Sequence, residues 1–158
     1  MSNKLLFPNK YKLIGWCLLI PTTIFGVILS FTEFDTLPLT IKVFAFFNTE
    51  IMGPTSLFSF IEANLTNTIV GALFIVGGIF VGFSKEKRED EFIAKIRLSS
   101  LLWAVWVNYA LLLLAVLLVY GSSFFTVMVY NMFTVLLIFI FRFNYILYKS
   151  TKIVSDDK

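Results

Sequence analysis

Four long apolar runs, each free of Asp, Glu, Lys, Arg and His, dominate the chain. They cover Leu13–Phe31, Leu65–Phe83, Leu98–Tyr120 and Phe124–Phe141. A helix needs about 20 residues to cross the hydrocarbon core of a bilayer, where every backbone polar group must be paired. The runs lack the polar–apolar alternation of membrane barrel strands. The pattern predicts four transmembrane helices, the last continuing to about residue 145.

The composition of the chain supports this prediction. Apolar residues make up 58% of the chain and charged residues only 15%, against about 45–50% and about 25% in soluble domains. A chain of 158 residues cannot bury that excess in a soluble core. We therefore predict an all-α fold: an integral membrane four-helix bundle that forms a single transmembrane domain over 1–158, with the lipid bilayer as its partner.

The basic residues are distributed unevenly between the two sides of these helices. Twelve of the 13 Lys and Arg residues lie in the amino-terminal tail, between helices two and three, or at the carboxyl end, and only Lys42 lies on the other side. The positive-inside rule then places both termini in the cytoplasm. A cleaved signal is the alternative for the first run, but no A-x-A-like cleavage site closes it. We predict a multi-pass membrane protein with both termini in the cytoplasm.

The stretch from Ser84 to Arg97 is predicted to be a cytoplasmic amphipathic elbow helix. Ser84 is a candidate cap, and Phe92, Ile93 and Ile96 supply one apolar face that would lie on the inner leaflet. The alternative is a straight cytoplasmic extension of helix three, because no Gly or Pro separates Arg97 from Leu98.

The connection Thr32–Asn64 is predicted to be an apolar external loop. It is rich in Phe, Leu and Ile, unlike a solvated loop. We expect it to pack over the external helix ends or to lie in the outer interface, with a break at Gly53-Pro54.

Two amide side chains fall inside hydrophobic runs, where an unpaired amide is costly. The short connection Gly121-Ser122-Ser123 predicts a tight hairpin in which residues whose numbers sum to about 243 lie level. The candidate intramembrane polar contacts are Asn108, Tyr109, Asn131 and Thr134. Interhelical hydrogen bonding is the preferred interpretation, and a substrate or ion site is the alternative.

Helix two carries a small-x-x-x-small motif formed by Gly78 and Gly82. Such motifs allow two helix backbones to approach closely. The motif is a candidate packing site, either within one chain or in a homo-oligomer.

The chain has a single carboxylate cluster, which is interleaved with Lys85, Lys87 and Arg88. It consists of Glu86, Glu89, Asp90 and Glu91. Mixed charges of this kind are typical of a solvated helix face. A docking surface for a protein partner is the functional alternative, and the neighbouring basic residues could instead anchor the segment to anionic lipid.

The remaining pattern favours a protein without catalytic activity. The apolar runs hold no ionisable carboxylate, lysine, arginine or histidine, and no phosphate-binding loop, nucleophile elbow or zinc helix occurs. We expect no catalytic, metal or cofactor site and no nucleic acid partner. The prediction is a non-enzymatic regulatory, sensory or scaffolding subunit; the alternative is a small oligomeric channel or transporter.

The second half of the chain contains several short distinctive stretches: Gly82–Lys87, Glu89–Glu91, Trp103, Asn108-Tyr109, Tyr130–Phe133 and Arg142–Tyr145. In these motifs the chain resembles small four-helix integral membrane proteins of Gram-negative bacteria. The resemblance implies a helical fold in the inner membrane and carries no function or catalytic residue with it.

Overall fold

The computed structural model describes residues 6–31, 40–49, 55–87 and 89–156. It contains four helices: α1 (Lys10–Phe31), α2 (Leu65–Phe83), α3 (Glu91–Leu118) and α4 (Ser122–Asp156). All four are long and apolar enough to cross a membrane. The prediction of four apolar helices of spanning length is confirmed, as expected for a multi-pass membrane protein.

The chain divides into two compact units. One comprises Met1–Leu19 and Ile75–Lys158, and the other comprises Ile20–Phe74. The first therefore holds the start of α1, the end of α2 and both later helices. The second holds the rest of α1, the start of α2 and the hairpin between them.

Helices α3 and α4 form an antiparallel hairpin that is longer than a bilayer core is thick. They have 28 and 35 residues, or about 42 and 52 Å at 1.5 Å per residue, against about 30 Å of hydrocarbon. Their connection is Val119–Gly121, and Gly121 has a left-handed φ of 73°. The predicted connection Gly121-Ser122-Ser123 lies two residues too late, because this left-handed glycine forms the turn and Ser122 is already helical.

Helix α3 begins inside the predicted elbow, at Glu91. Asp90 is its N-cap, and the Asp90 Oδ1 accepts a hydrogen bond from the Ile93 N–H at 2.9 Å. The described residues between Ser84 and Asp90 are not helical. The prediction of a separate elbow helix over 84–97 capped by Ser84 is therefore wrong, and residues 91–97 continue directly into α3. The Asp90 carboxylate takes the capping role that was predicted for Ser84, because it accepts from an otherwise unpaired N–H in the first turn of α3.

The start of α1 and the end of α2 approach each other through two glycines. A Cβ on Gly15 would lie 2.8 Å from the Val81 backbone nitrogen, and one on Gly77 would lie 2.9 Å from the Leu19 nitrogen. Any side chain at either position would meet backbone that cannot rotate away. These glycines therefore set the distance between the two helices.

The buried side chains of the first unit concentrate at the end of the α3–α4 hairpin that is opposite its turn, which we call the basal end. The fully buried apolar residues there include Val81, Ala104, Phe139 and Phe143. Toward the turn, most side chains of α3 and α4 are exposed, as suits helices whose flanks face lipid. The core of the first unit is thus concentrated at the basal end.

The connection that was predicted as an apolar external loop contains a β-hairpin. Strands β1 (Thr40–Thr49) and β2 (Thr55–Asn64) pair antiparallel, with Thr40 opposite Asn64 and Phe44 opposite Phe60. The Phe44 and Phe60 rings meet edge to face, 5.5 Å apart. The loop prediction is wrong for these residues: cross-strand aromatic pairs and β-branched residues favour strands. The predicted break at Gly53-Pro54 lies outside the described residues.

Candidate functional site

Three stretches of chain that are distant in sequence meet at the basal end. They are the segment before α1 together with the first turn of α1, the connection between α2 and α3, and the first turns of α3. We call their meeting point the basal junction, which comprises Phe7, Asn9, Lys12, Ser84, Lys85, Glu86, Glu89, Asp90 and Arg97.

The segment before α1 is fixed to the end of α2 by backbone pairing. The Phe7 N–H donates to the Phe83 carbonyl at 3.0 Å, and the Lys85 N–H donates to the Phe7 carbonyl at 2.8 Å. The Asn9 Nδ2 donates to the Lys85 carbonyl at 2.6 Å. The Phe7 ring also packs edge to face on Phe80, 5.3 Å away. These contacts give the connection after α2 a fixed path without a helix.

Arg97 is the central residue of the basal junction and is only 7% exposed. Its Nη1 and Nη2 donate to the two carboxylate oxygens of Glu89 at 2.6 and 3.2 Å. Nη2 also donates to the Ser84 carbonyl at 3.2 Å, and the guanidinium lies 5.0 Å from the centroid of the Phe143 ring. Arg97 therefore links the α2–α3 connection, α3 and α4 through one planar group, the geometry for which arginine is suited.

The environment of Glu89 favours its charged form. Partial burial acts to raise the pKa of this carboxyl, but hydrogen bonds from Arg97 and from the Glu86 N–H, together with the charge of Arg97, outweigh it. The net effect lowers the pKa of Glu89 below its ordinary value of 4.5. Glu89 therefore remains a carboxylate, paired with Arg97, at neutral and mildly acidic pH.

Glu86 extends this network to α1. Its carboxylate forms an ion pair with the Lys12 ammonium, and its backbone N–H donates to the Glu89 Oε2 at 2.9 Å. The chain of contacts runs from Lys12 through Glu86 and Glu89 to Arg97. These four residues thus form one connected polar network, which ends where the Arg97 guanidinium lies over the Phe143 ring.

The structure separates the four predicted docking residues into two groups. Glu86, Glu89 and Asp90 serve the chain itself, through Lys12, Arg97 and the α3 N-terminus respectively. Glu91 lies in the first turn of α3 and is exposed. Asp90 is exposed as well, but its carboxylate caps α3, so Glu91 is the member of the cluster whose carboxylate makes neither an ion pair nor a hydrogen bond with the described residues.

The structure brings two of the four predicted intramembrane polar residues together. Asn108 and Asn131 exchange reciprocal side-chain hydrogen bonds, each 3.2 Å long. Asn108 is buried, on one face of α3 with Ala104 and Ser100. Tyr109 is 64% exposed, and the Thr134 hydroxyl donates to the Tyr130 carbonyl of its own helix at 2.9 Å. Tyr109 and Thr134 therefore do not join the amide pair.

The Gly78–Gly82 motif contacts α4 of the same chain. A Cβ on Gly78 would overlap the Leu136 side chain, and one on Gly82 would lie 2.6 Å from the Cε1 of Phe139. Between the two alternatives that the sequence left open, the structure uses these glycines for packing within one chain. Helix α2 is seated against α4 at this point.

Sequence reasoning missed several residues of the basal junction. Arg97 counted only as a topology charge, Lys12 as part of a basic tail, and Phe7 and Asn9 carried no signal at all. An Arg that follows the apolar positions Ile93 and Ile96 on one helical face could have indicated the burial of Arg97. The pairing of Lys12 with Glu86 spans 74 residues and has no local signature.

Within the described residues, no group of three His, Cys, Asp or Glu side chains is placed to hold a metal ion. What the arrangement does chemically is to hold charges and backbone groups in fixed positions.

No family model matches the chain, and neither a curated protein nor a solved structure is significantly similar to it.

Proposed function

We propose that the protein is a non-enzymatic subunit of the bacterial inner membrane that docks a soluble partner protein through its basal end. In this proposal both termini and the basal junction face the cytoplasm, as the positive-inside rule requires for 12 basic residues against one. The role is regulatory, sensory or scaffolding.

The observation that carries the proposal is that the basal junction is fixed while a small surface beside it stays exposed. We call Glu91, Phe92 and Lys95 the α3 start surface. Phe92 is 57% exposed, and Glu91 and Lys95 flank it on the first turns of α3. An exposed aromatic side chain between charges of opposite sign, on a helix turn whose backbone is held by the Asp90 cap, has the character of an interface anchor, because little backbone entropy is lost when it is covered.

The contacts of Glu86, Glu89 and Asp90 within the chain support a docking surface at the α3 start surface rather than at all four acidic residues. Glu86, Glu89 and Asp90 already have partners within the chain, so a soluble protein would have to break those contacts to use them. Changing their charge would test the fold rather than the docking. Substitutions at Glu91 and Lys95 leave the basal junction intact and test docking alone.

The alternative of a small oligomeric channel receives less support. It requires Asn108 and Asn131 to face a path between subunits, whereas their amides pair with each other across one hairpin. Tyr109 is exposed on the flank of α3 and remains the candidate for a contact between copies in that alternative.

A photo-crosslinking amino acid at position 92, in cells, tests the proposal. We expect one discrete heterologous adduct that weakens with salt and disappears in Glu91→Lys/Lys95→Glu, because exposed charges act over about 8–10 Å. The same crosslinker at Tyr120, in the hairpin turn and 77% exposed, is the matched control and should give no such adduct. An adduct with a second copy of this chain, or no protein adduct from position 92, would contradict the proposal.

A further inference from the structure

An open groove of about 790 Å³ lies beside the basal junction, within the first unit. Its apolar wall consists of Leu13 and Trp16 from α1, Ile93 from α3 and Leu147 from α4. Its volume falls within the range of about 300–1,000 Å³ that is usual for small-molecule sites. The groove is therefore large enough for the headgroup region of a lipid.

The polar edge of the groove carries an excess of positive charge. Lys10, Lys12, Glu86 and Lys87 all line it, and the Lys12–Glu86 ion pair is internally neutral. Lys10 and Lys87 are exposed, and neither forms an ion pair with another residue in the described part of the chain. Two uncompensated ammonium groups therefore face the open side.

The position of the groove selects among anionic ligands. Lys10 begins both α1 and its apolar span, so the first turns of α1 lie at the level where lipid headgroups meet the hydrocarbon. Trp16 lies in the second turn, and Trp is enriched at this level because its ring is apolar and its N–H is polar. A ligand here meets ammonium groups at one end and apolar side chains at the other.

We propose that the groove binds an anionic glycerophospholipid. The phosphate lies between the ammonium groups of Lys10 and Lys87, and the first part of an acyl chain runs along Trp16 and Leu147. The charge of the edge favours an anionic over a zwitterionic headgroup, and the apolar wall favours a lipid over a free phosphate. This site is independent of the partner proposed above, because it involves none of the α3 start surface.

Fluorescence of Trp16 in nanodiscs tests the site directly. In a Trp103→Phe/Trp106→Phe background, Trp16 is the remaining tryptophan of the three in the chain. Nanodiscs of phosphatidylcholine receive increasing mole fractions of brominated phosphatidylglycerol or, in parallel, brominated phosphatidylcholine. We expect half-quenching at a mole fraction at least about five-fold lower for the anionic lipid, since one interfacial Lys contributes roughly that factor.

Matched lysine variants identify the source of this preference. Lys10→Gln/Lys87→Gln should equalise the two lipids, whereas Lys95→Gln/Lys149→Gln, at exposed positions outside the groove, should keep the preference. Soluble glycerol phosphate should not reverse the quenching. The proposal would be overturned by equal quenching by both lipids in the unchanged lysine background, or by protection of Trp16 from both lipids. Loss of the preference in both variant pairs, or reversal by glycerol phosphate, would also overturn it. Crosslinking from position 92 does not depend on any of these outcomes.

Discussion

Asn108 and Asn131 each donate a side-chain hydrogen bond to the other's amide oxygen, at 3.2 Å in both directions. The pair joins α3 to α4 inside the apolar stretch of both helices. Because it is reciprocal, each amide satisfies part of the other's need for a partner where water is scarce.

This relationship predicts that Asn131→Leu lowers the free energy of unfolding by about 1 kcal/mol, through the loss of an interhelical contact. The Asn108→Leu/Asn131→Leu double variant should lose less than the sum of the two single losses, because no unpaired amide remains in it. Titration with a denaturing detergent measures all three values. Thr134→Val is the control, since the Thr134 hydroxyl bonds only its own helix among the described contacts. If the losses of unfolding free energy in the two single variants add up to the loss in the double variant, the two amides do not interact directly.

The seating of α2 on α4 predicts that Gly82→Ala destabilises the protein by about 1–3 kcal/mol, because the added methyl overlaps the buried Phe139 ring. Phe139→Leu in the same chain should restore part of the loss by removing the obstructing ring atoms. Gly26→Ala is the matched control, since its Cβ would find its nearest neighbour at 3.9 Å. An effect on oligomer mass without a change in unfolding would mean that the motif acts between chains.

The lowered pKa of Glu89 predicts a loss of stability in acid. Its ionised form is favoured in the folded protein, so its contribution is fully present above the ordinary value of 4.5 and is lost as pH falls through the lower folded pKa. Unfolding measured between about pH 3 and 6 should show this slope. Glu89→Gln should reduce the slope, while Glu91→Gln, at an exposed position, should leave it unchanged. Equal slopes in both variants would exclude Glu89 as its source.

The charge asymmetry predicts the orientation of the α3–α4 hairpin. On a Cys17-free background, Lys95→Cys should react with a membrane-impermeant thiol reagent only from the cytoplasmic side, and Tyr120→Cys only from the outside. Both positions are exposed, so access rather than burial decides the result. Labelling of position 95 from outside would reverse the proposed topology and place the α3 start surface beyond the reach of a cytoplasmic partner.

The apolar helices could be predicted from sequence because the bilayer imposes a length and excludes charge. The bounds of α2, Leu65–Phe83, coincide with its uncharged run, since polar residues flank it closely. The bounds of α3 could not be predicted in this way. Its first turns carry charged residues, which a search for uncharged runs leaves out. Its start depends on the Asp90 cap, and Ser84 is a residue type that serves equally well as an N-cap.

Neither the contacts of the basal junction nor the strands β1 and β2 could be predicted from local sequence patterns. Asn9 reaches a carbonyl 76 residues away, and neither end of that contact has a pattern that indicates the other. The two amides pair one helical turn away from the position that a sum of about 243 predicted. The reason is that α3 ends at Leu118 and the turn centres on Tyr120. A two-residue error in a turn shifts the whole hairpin register.

The acidic run serves the fold at Glu86, Glu89 and Asp90, whereas the Glu91 carboxylate makes neither an ion pair nor a hydrogen bond with the described residues. Unfolding free energies of Glu86→Gln, Glu89→Gln, Asp90→Ala and Glu91→Gln at neutral pH test this difference most directly. We expect a loss on the order of 2 kcal/mol for Glu89→Gln, below the roughly 3–5 kcal/mol of a fully buried pair because Glu89 keeps some contact with solvent. We expect about 1 kcal/mol for Asp90→Ala, up to about 1 kcal/mol for Glu86→Gln, and under about 0.5 kcal/mol for Glu91→Gln. Four equal, small losses would contradict the account, because they would show that the whole run is a solvated surface.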